Sequence, residues 1–215
     1  KVDNIEVDFD YFQSIKEFIF LKEKIKQKIL NIVEIGAGYG RTCHTFLSLN
    51  NNLNKYLIID FPEMLSLSSR YLKKVLDNKN FKKISFINAN QKLEKISELN
   101  LKNSLTININ SFNEMSDNAF NIYIKLINDI GGFFYTKNPV AKFNDPDFRT
   151  NKKRKNIALN TGQIKKIINI FDEKELNKAK KNYLQTYLPS NQWTLVSSKF
   201  SRPLIYYLQA IYKKK

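Results

Sequence analysis

Cysteine and histidine are almost absent from this chain of 215 residues, which contains one of each, Cys43 and His44. A single cysteine cannot form a disulfide within the chain, and we therefore expect a protein of the reducing cytoplasm. The sequence has no cluster of cysteine and histidine, and its aspartates have no ligand spacing, so it predicts no metal site.

Long apolar runs are lacking as well. No segment approaches the roughly 18–20 consecutive apolar residues that a membrane-spanning helix requires. The first residues lack the basic-then-apolar pattern of a secretion signal, so none is expected here. Hydrophobic residues still make up 42% of the chain, which argues against wholesale disorder. The length suits one α/β domain, and we expect a single domain over residues 1–215.

Acidic residues are few relative to basic ones. The chain has 36 Lys and Arg residues against 20 Asp and Glu residues, which gives a net charge of +16. One interpretation is a polyanionic partner, such as nucleic acid or a phosphorylated substrate. The other is compositional, because the sequence is rich in Lys, Asn and Ile, as an AT-rich genome would produce. The charge alone does not choose between them.

Hydrophobic spacing predicts alternating strands and helices over the first two thirds of the chain. An amphipathic helix is predicted over Tyr11–Ile29. It is expected to pack against the domain through its apolar side chains, which are Phe12, Ile15, Ile19, Ile25 and Ile29. Strands are predicted at 31–35, 55–60, 83–88, 105–110 and 133–137, and helices at 39–49, 62–76 and 117–130. This order favours an α/β fold, doubly wound, with a mostly parallel sheet.

The last third of the chain departs from this alternation. We interpret residues 138–190 as a lid or insertion between the fifth and sixth strands, because long loops in compact domains are usually functional or disordered. Its basic run, 151–155, would lie over a phosphorylated substrate or be a solvated loop. Helices are predicted at Gly162–Phe171 and Lys174–Tyr183, and a final antiparallel strand pair at Trp193–Phe200 and Leu204–Tyr212.

The most informative segment is Ile32–Arg41, IVEIGAGYGR, in which three glycines stand between a predicted strand and a predicted helix. Glycine allows a sharp turn and lets a ligand lie against bare backbone, and the helix start favours an anionic group. The G-x-G-x-G spacing differs from both the dinucleotide fingerprint and the P-loop. The turn predicts a nucleotide-type cofactor, although a tight strand-to-helix connection has the same pattern.

Two acids flank this turn. Glu34 lies near the end of the first predicted strand, and Asp60 ends the second predicted strand. A carboxylate at the second position can accept hydrogen bonds from ribose hydroxyls. Taken singly, Glu34 could only brace the turn and Asp60 could only begin a helix. Together and in this order they favour a nucleoside-bearing cofactor.

An acid followed by G-x-G-x-G resembles the first motif of class I methyltransferases, which use S-adenosyl-L-methionine. The resemblance implies a Rossmann-like, seven-stranded sheet with an antiparallel last strand and an N-terminal helical segment over residues 1–30. The pair Gly131–Gly132 before the fifth predicted strand fits the same superfamily. The cofactor residues that the resemblance implies are Glu34, Gly36, Ala37, Gly38, Tyr39, Gly40, Asp60, Phe61, Asn88, Asn90, Asn110 and Ser111.

Three segments resemble a narrower group, the sugar O-methyltransferases found among bacterial surface-polysaccharide genes. They are EIGAGYGRTCH (Glu34–His44), YLIIDFPEML (Tyr56–Leu65) and INSFNEMS (Ile109–Ser116), within a resemblance that covers about Ile32–Lys137. It implies methyl transfer to a hydroxyl of a sugar or saccharide precursor, free or nucleotide-activated.

A sugar hydroxyl is a poor nucleophile at neutral pH, so a general base is expected. Glu114 and His44 are the candidates, and Glu114 is preferred. Each also has a simpler interpretation, since Glu114 could stabilise a helix start and His44 could be an ordinary packed or surface residue. Predicted substrate contacts are Arg41, Asn113, Tyr135 and Lys137, although Arg41 could instead pair with Glu34.

Two other functions are consistent with the sequence. An RNA or DNA methyltransferase is favoured by the charge, but the segment NSFNEM lacks the [DN]-P-P-[YF] pattern of amino-methylating nucleic-acid enzymes. A cofactor-binding module without catalytic activity is the other alternative.

Overall fold

The computed structural model describes residues 6, 8–91, 93, 96, 99, 101–143, 156–157 and 159–215. The chain comprises two compact units, residues 1–107 and 108–215. The prediction of a single domain stays a prediction.

The first unit contains the predicted alternation of helices and strands. Its elements are α1 (Phe9–Lys24), β1 (Asn31–Ile35), α2 (Arg41–Leu49), β2 (Lys55–Asp60), α3 (Pro62–Val75), α4 (Asn78–Phe81), β3 (Ile84–Asn88) and most of β4 (Ser104–Ile109). The last four residues of β1 and the last five of β2 are buried, as expected of central strands covered on both faces. Pro62 begins α3, where its missing N–H group costs nothing.

The second unit begins with a 3₁₀ turn at Phe112–Glu114. It continues with α5 (Asp117–Ile130), β5 (Phe133–Pro139), β6 (Lys142–Phe143), β7 (Ile167–Ile168), α6 (Glu173–Thr186), β8 (Trp193–Ser201) and β9 (Leu204–Lys214). Capping fixes the helix bounds: the Ser116 hydroxyl accepts from the N–H of Ala119 at the start of α5, and Gly131, with φ 73°, closes its end. The Asp172 carboxylate caps α6 in the same way.

Seven strands form one sheet in the order β3-β2-β1-β4-β5-β9-β8, and β6 and β7 form a separate two-stranded sheet. β2 is parallel to both β1 and β3. β9 is antiparallel to both of its neighbours, β5 and β8. The predicted doubly wound sheet with an antiparallel last strand is therefore confirmed.

The orientation predicted for the N-terminal helix is wrong. Phe12, Ile15 and Ile19 are 46%, 40% and 48% exposed, whereas the buried face of α1 contains Gln13, Ser14, Glu17, Phe20 and Leu21. The helix also ends at Lys24 and does not reach Ile29. Apolar side chains occur on two faces of this helix, so their spacing does not select one. On the buried face, Glu17 forms an ion pair with Arg41 of α2.

The helix predicted at Gly162–Phe171 is also wrong, because Ile167–Ile168 form β7 and pair in parallel with β6. Gly162 has φ 72°, and its N–H donates to the Met115 carbonyl at 2.8 Å. A Cβ at this position would lie 2.5 Å from the Asn113 carbonyl oxygen, so only glycine fits here. Further along, the Lys142 N–H donates to the Lys166 carbonyl at 2.9 Å, so the backbone of this segment bonds to β6 and not within a helix. The basic run 151–155 lies outside the described residues, and the lid stays a prediction.

Candidate cofactor site

The glycine turn lies at the carboxyl end of β1. Gly36, Gly38 and Gly40 have φ values of 73°, 59° and 96°, a region that favours glycine. The N–H of Gly36 donates to the Ile59 carbonyl at 2.9 Å, which fixes the turn to β2. The helix predicted from Tyr39 begins two residues later, at Arg41, because Gly40 is still in the left-handed region.

The three glycines are not equivalent in their surroundings. A Cβ on Gly40 would lie 2.8 Å from Cδ1 of Leu72, so this glycine allows α3 to pack closely. A Cβ on Gly38 would meet no atom within 4 Å. Gly38 therefore borders open space, as required of backbone against which a ligand lies.

Asp60 lies at the carboxyl end of β2, beside the turn. It is 8% exposed, and its Oδ2 accepts a hydrogen bond from the Gly38 N–H at 2.9 Å. Its Oδ1 accepts from the N–H of Phe61 at 2.8 Å. A carboxylate has about four acceptor positions, so each oxygen can accept one more hydrogen bond. The next side chain, Phe61, is 58% exposed.

Glu34 is buried below the turn. The Tyr56 hydroxyl of β2 donates to its Oε2 at 2.8 Å. Burial raises the pKa of Glu34 to about 7, against the opposing effects of hydrogen bonds from Tyr56 and Thr42 and of the Arg41 charge. These contacts tie Glu34 to β2 and to the start of α2. Its bracing of the turn and its direct contact with a cofactor both stay predictions.

The structure pairs Arg41 with a different acid from the one considered in the sequence. Its Nη2 lies 3.4 Å from Oε2 of the buried Glu17, and its Nη1 donates to the Asp10 carbonyl at 2.6 Å. Arg41 therefore ties the start of α2 to α1. Its predicted contact with substrate stays a prediction.

The predicted asparagines lie at the end of β3, where Asn88 is in register with Asp60. The Asn88 Oδ1 accepts from the N–H of Asn90 at 2.9 Å, and the Ala89 N–H donates to the Asp60 carbonyl at 2.9 Å. Asn90 is exposed and Asn88 is half-buried. The ends of β1, β2 and β3 thus bring the turn, Asp60 and Asn88 to one edge of the sheet.

His44 belongs to a group that the sequence did not reveal. We call Tyr11, His44 and Tyr71 the hydroxyl cluster. The Tyr11 hydroxyl lies 2.7 Å from Nδ1 of His44 and is also hydrogen-bonded to the Tyr71 hydroxyl. Tyr39 of the turn packs edge-on against Tyr71, with ring centroids 5.4 Å apart. Partial burial lowers the pKa of His44 and favours the neutral imidazole.

The NSFNEM residues lie in the second unit, after β4. Asn110 has φ 56°, its N–H donates to the Lys137 carbonyl at 2.9 Å, and its Oδ1 accepts from the Tyr207 hydroxyl at 2.7 Å. The Ser111 hydroxyl is hydrogen-bonded to the Asn108 side chain. This segment is therefore held by contacts to β5 and β9.

Glu114 is exposed at the end of the 3₁₀ turn. Its negative charge acts on Lys142 and Tyr207: it opposes the lowering of the Lys142 pKa by burial and adds to the raising of the Tyr207 pKa. Lys142 also donates to the carbonyl of Asn113 at 3.2 Å. The catalytic role of Glu114 stays a prediction.

Tyr135 and Lys137 are buried in β5, with exposures of 0% and 3%. The Tyr135 hydroxyl donates to Oε1 of Gln209 at 3.0 Å. Neither side chain presents appreciable surface, and their predicted contacts with substrate stay predictions.

The first unit also contains a cavity of about 360 Å³. Its lining includes Phe18, Lys22, Ile32, Phe46 and Leu105. Ile32 and Leu105 lie near the amino ends of β1 and β4, so the cavity is at the opposite end of β1 from the glycine turn.

Two negative findings concern the described part of the chain. No three His, Cys, Asp or Glu side chains within it lie together as a metal site would need. None of its helices is both long and apolar enough to cross a bilayer.

Comparison with known proteins places the fold. No protein-family model and no curated protein matches the chain. The methyltransferase domain of a bacterial Hen1 matches with a TM-score of 0.58 and 12% identity, over 96% of this chain and 100% of that one. Magnesium protoporphyrin IX methyltransferase from Synechocystis, with bound SAH, matches with a TM-score of 0.55 and 13% identity, over 99% of this chain and 90% of that one.

A third solved structure is an O-methyltransferase family protein from Burkholderia thailandensis. It matches with a TM-score of 0.52 and 9% identity, over 96% of this chain and 58% of that one. This chain therefore spans little more than half of that protein. These likenesses show that the chain has the class I methyltransferase fold.

Proposed function

We propose that this protein is an S-adenosyl-L-methionine-dependent methyltransferase that methylates a hydroxyl of a sugar or saccharide precursor in surface-polysaccharide biosynthesis. The observation that carries the proposal is the pairing of Gly38 with Asp60. Bare backbone borders open space at Gly38, and a carboxylate with unused acceptor positions is hydrogen-bonded to that same residue. The fold of the similar structures supports the same cofactor.

The residues present fit this cofactor in chemistry. The Asp60 carboxylate can accept hydrogen bonds from the two ribose hydroxyls, and the exposed Phe61 ring offers an apolar surface to a base. The Asn88 and Asn90 amides can read the edge of a purine through hydrogen bonds. The N–H groups at the start of α2 suit the carboxylate of the methionine part.

The cofactor, when bound, supplies a methyl group on a sulfonium that an acceptor oxygen attacks in line. The chain contributes position, because holding the acceptor oxygen about 3 Å from the methyl group supplies much of the catalysis. It also contributes a base, and Glu114 and His44 are the candidates from the sequence. A Glu114→Gln variant tests the first, and full turnover in this variant excludes Glu114 as the base.

The acceptor is tested by transfer of a labelled methyl group. We expect label in a nucleotide-activated hexose such as UDP-glucose, UDP-galactose or GDP-mannose, and none in RNA. The net charge of +16 favours the nucleic-acid alternative. Label in RNA and in none of the sugars would therefore replace the sugar proposal with an RNA methyltransferase. The Glu114→Gln variant removes a negative charge, and its control is Asp129→Asn, which removes the charge of an exposed aspartate of α5.

A further inference from the structure

The hydroxyl cluster joins three elements of the first unit at one point. Tyr11 comes from the first turns of α1, His44 from α2 and Tyr71 from α3. All three side chains are half-buried, so their polar atoms are neither sealed in the core nor freely hydrated. Tyr39 connects them to the glycine turn through its ring contact with Tyr71.

The donors and acceptors of the hydroxyl cluster follow from the tautomer of His44. The Tyr11 oxygen lies 2.7 Å from Nδ1 of His44, and the tautomer of the imidazole decides which of the two donates. With the imidazole proton on Nε2, Tyr11 donates its proton to Nδ1. Tyr71 then donates to the Tyr11 oxygen. A hydroxyl oxygen accepts two hydrogen bonds, so Tyr11 has one acceptor position left.

The charged and titratable groups around the cluster are few. Burial raises the pKa of Tyr71, and the charge of Asp8, at the start of α1, adds to this. Burial also raises the pKa of Tyr39, and Asp10 and Asp8 add to it. Arg41 of α2 opposes them at Tyr39. The lowering of the His44 pKa comes from burial.

We propose that Tyr11 is a catalytic residue, whose oxygen accepts the proton of the acceptor hydroxyl while its own proton passes to Nδ1 of His44. His44 is then a positioning residue that acts through Tyr11, and Tyr71 orients the Tyr11 oxygen. This inference rests on the proposed methyl transfer and names the group that takes the proton.

The step balances in atoms and charge. The acceptor loses its O–H proton as its oxygen gains the methyl group, and the electron pair of the broken S–C bond stays on sulfur. Tyr11 gives one proton and receives one, so it ends neutral. His44 becomes an imidazolium, which carries the positive charge that the sulfonium loses, and it returns the proton to water before the next turnover.

Because His44 is the sole histidine of the chain, ¹⁵N NMR with labelled histidine reports on it alone. We expect a neutral Nε2–H tautomer and a pKa below the ordinary value. In Tyr11→Phe the Nδ1 resonance should move toward that of an unbonded imidazole nitrogen. Tyr206→Phe, a tyrosine of β9 outside the cluster, should leave it in place. A neutral imidazole with its proton on Nδ1 would overturn the proposal, because that nitrogen could not accept from Tyr11.

Turnover supplies the second test, with whichever nucleotide-sugar of the panel is methylated. General-base groups typically contribute about 10²–10⁴-fold, so Tyr11→Phe and His44→Gln should each lose at least about 10²-fold in kcat. Glutamine can still accept a hydrogen bond from the Tyr11 hydroxyl, but it cannot take up the proton that Tyr11 transfers to His44. The acidic limb of the wild-type pH–rate profile should follow the NMR pKa of His44 and be absent from His44→Gln. A His44→Gln variant with wild-type kcat and an unchanged profile would refute the role.

These tests separate the inference from the proposed function. S-adenosylhomocysteine binding, measured by calorimetry, should be within about twofold of wild type in Tyr11→Phe and His44→Gln. If wild type does not bind it, the proposed function fails. If wild type binds and methylates a sugar while both variants turn over normally, only the role of Tyr11 and His44 is refuted.

Discussion

Replacing Glu34 by glutamine should make the protein more stable at alkaline pH. Glu34 is buried in β1, where it accepts a hydrogen bond from the Tyr56 hydroxyl at 2.8 Å. Burial raises the pKa of this carboxyl to about 7, so the folded protein favours the protonated form. Glutamine has nearly the same shape, keeps an oxygen for Tyr56 and cannot ionise.

The size of the change in the free energy of unfolding follows from the shift in the pKa of Glu34. A rise from 4.5 to about 7 corresponds to about 3 kcal/mol, at about 1.4 kcal/mol per pKa unit. A pKa raised in the folded state gives stability that is present below about pH 4.5 and is lost as the pH rises through 7. Wild type should therefore lose about 3 kcal/mol relative to Glu34→Gln between pH 4.5 and pH 8. For a chain of this length that is a difference of about 6–12 °C in Tm.

The assay is urea unfolding of both proteins at pH 4.5, 6, 7 and 8. The exposed Glu23 of α1 provides the matched control, and Glu23→Gln should follow wild type at every pH. If the difference between Glu34→Gln and wild type does not change by more than about 0.5 kcal/mol over this range, Glu34 does not titrate as its burial requires. The account of how the turn is braced would then be wrong.

Three further substitutions test other parts of the structure. Gly40→Ala places a Cβ 2.8 Å from Leu72, so urea unfolding should show a loss about 1–3 kcal/mol larger than in Gly38→Ala, where the Cβ meets no atom within 4 Å. Gly38→Ala should instead weaken cofactor binding about tenfold in calorimetry, about 1.4 kcal/mol, and equal binding would contradict the assignment of that surface. Tyr183→Phe should cost about 1–3 kcal/mol in urea unfolding, because its buried hydroxyl is the partner of the Asn138 N–H at 3.1 Å; a loss below 0.5 kcal/mol would refute this.

The sheet could be predicted from the sequence because its central strands are buried on both faces. Segments such as Asn31–Ile35 and Lys55–Asp60 are short, mostly apolar runs that end at glycine or at an acid, which is typical of buried parallel strands. The glycine turn could also be predicted, because three glycines at alternate positions indicate a backbone with positive φ, and all three have positive φ in the structure. Asp60 could be assigned to the same edge because parallel strands end together.

The hydroxyl cluster could not be predicted, because it depends on how helices face one another. The apolar side chains of α1 occur on two faces, and the buried face includes Glu17, which pairs with Arg41, 24 residues away in sequence. Once that face is set, Tyr11 reaches His44. Hydrophobic periodicity contains no information on such a pair. The helix predicted at Gly162–Phe171 is wrong because Ile167–Ile168 pair with β6, a contact between segments distant in sequence that local spacing does not show.

Calorimetric titration with S-adenosylhomocysteine tests the central claim most directly. Wild type and the Asp129→Asn control should bind with the same affinity. Asp60→Asn should bind at least about tenfold more weakly. Its Tm is measured alongside, because the amide NH2 cannot accept from one of the two backbone N–H groups that the carboxylate serves. The absence of binding to wild type, or equal binding by Asp60→Asn, would contradict the assignment of the glycine turn and Asp60 as the cofactor site.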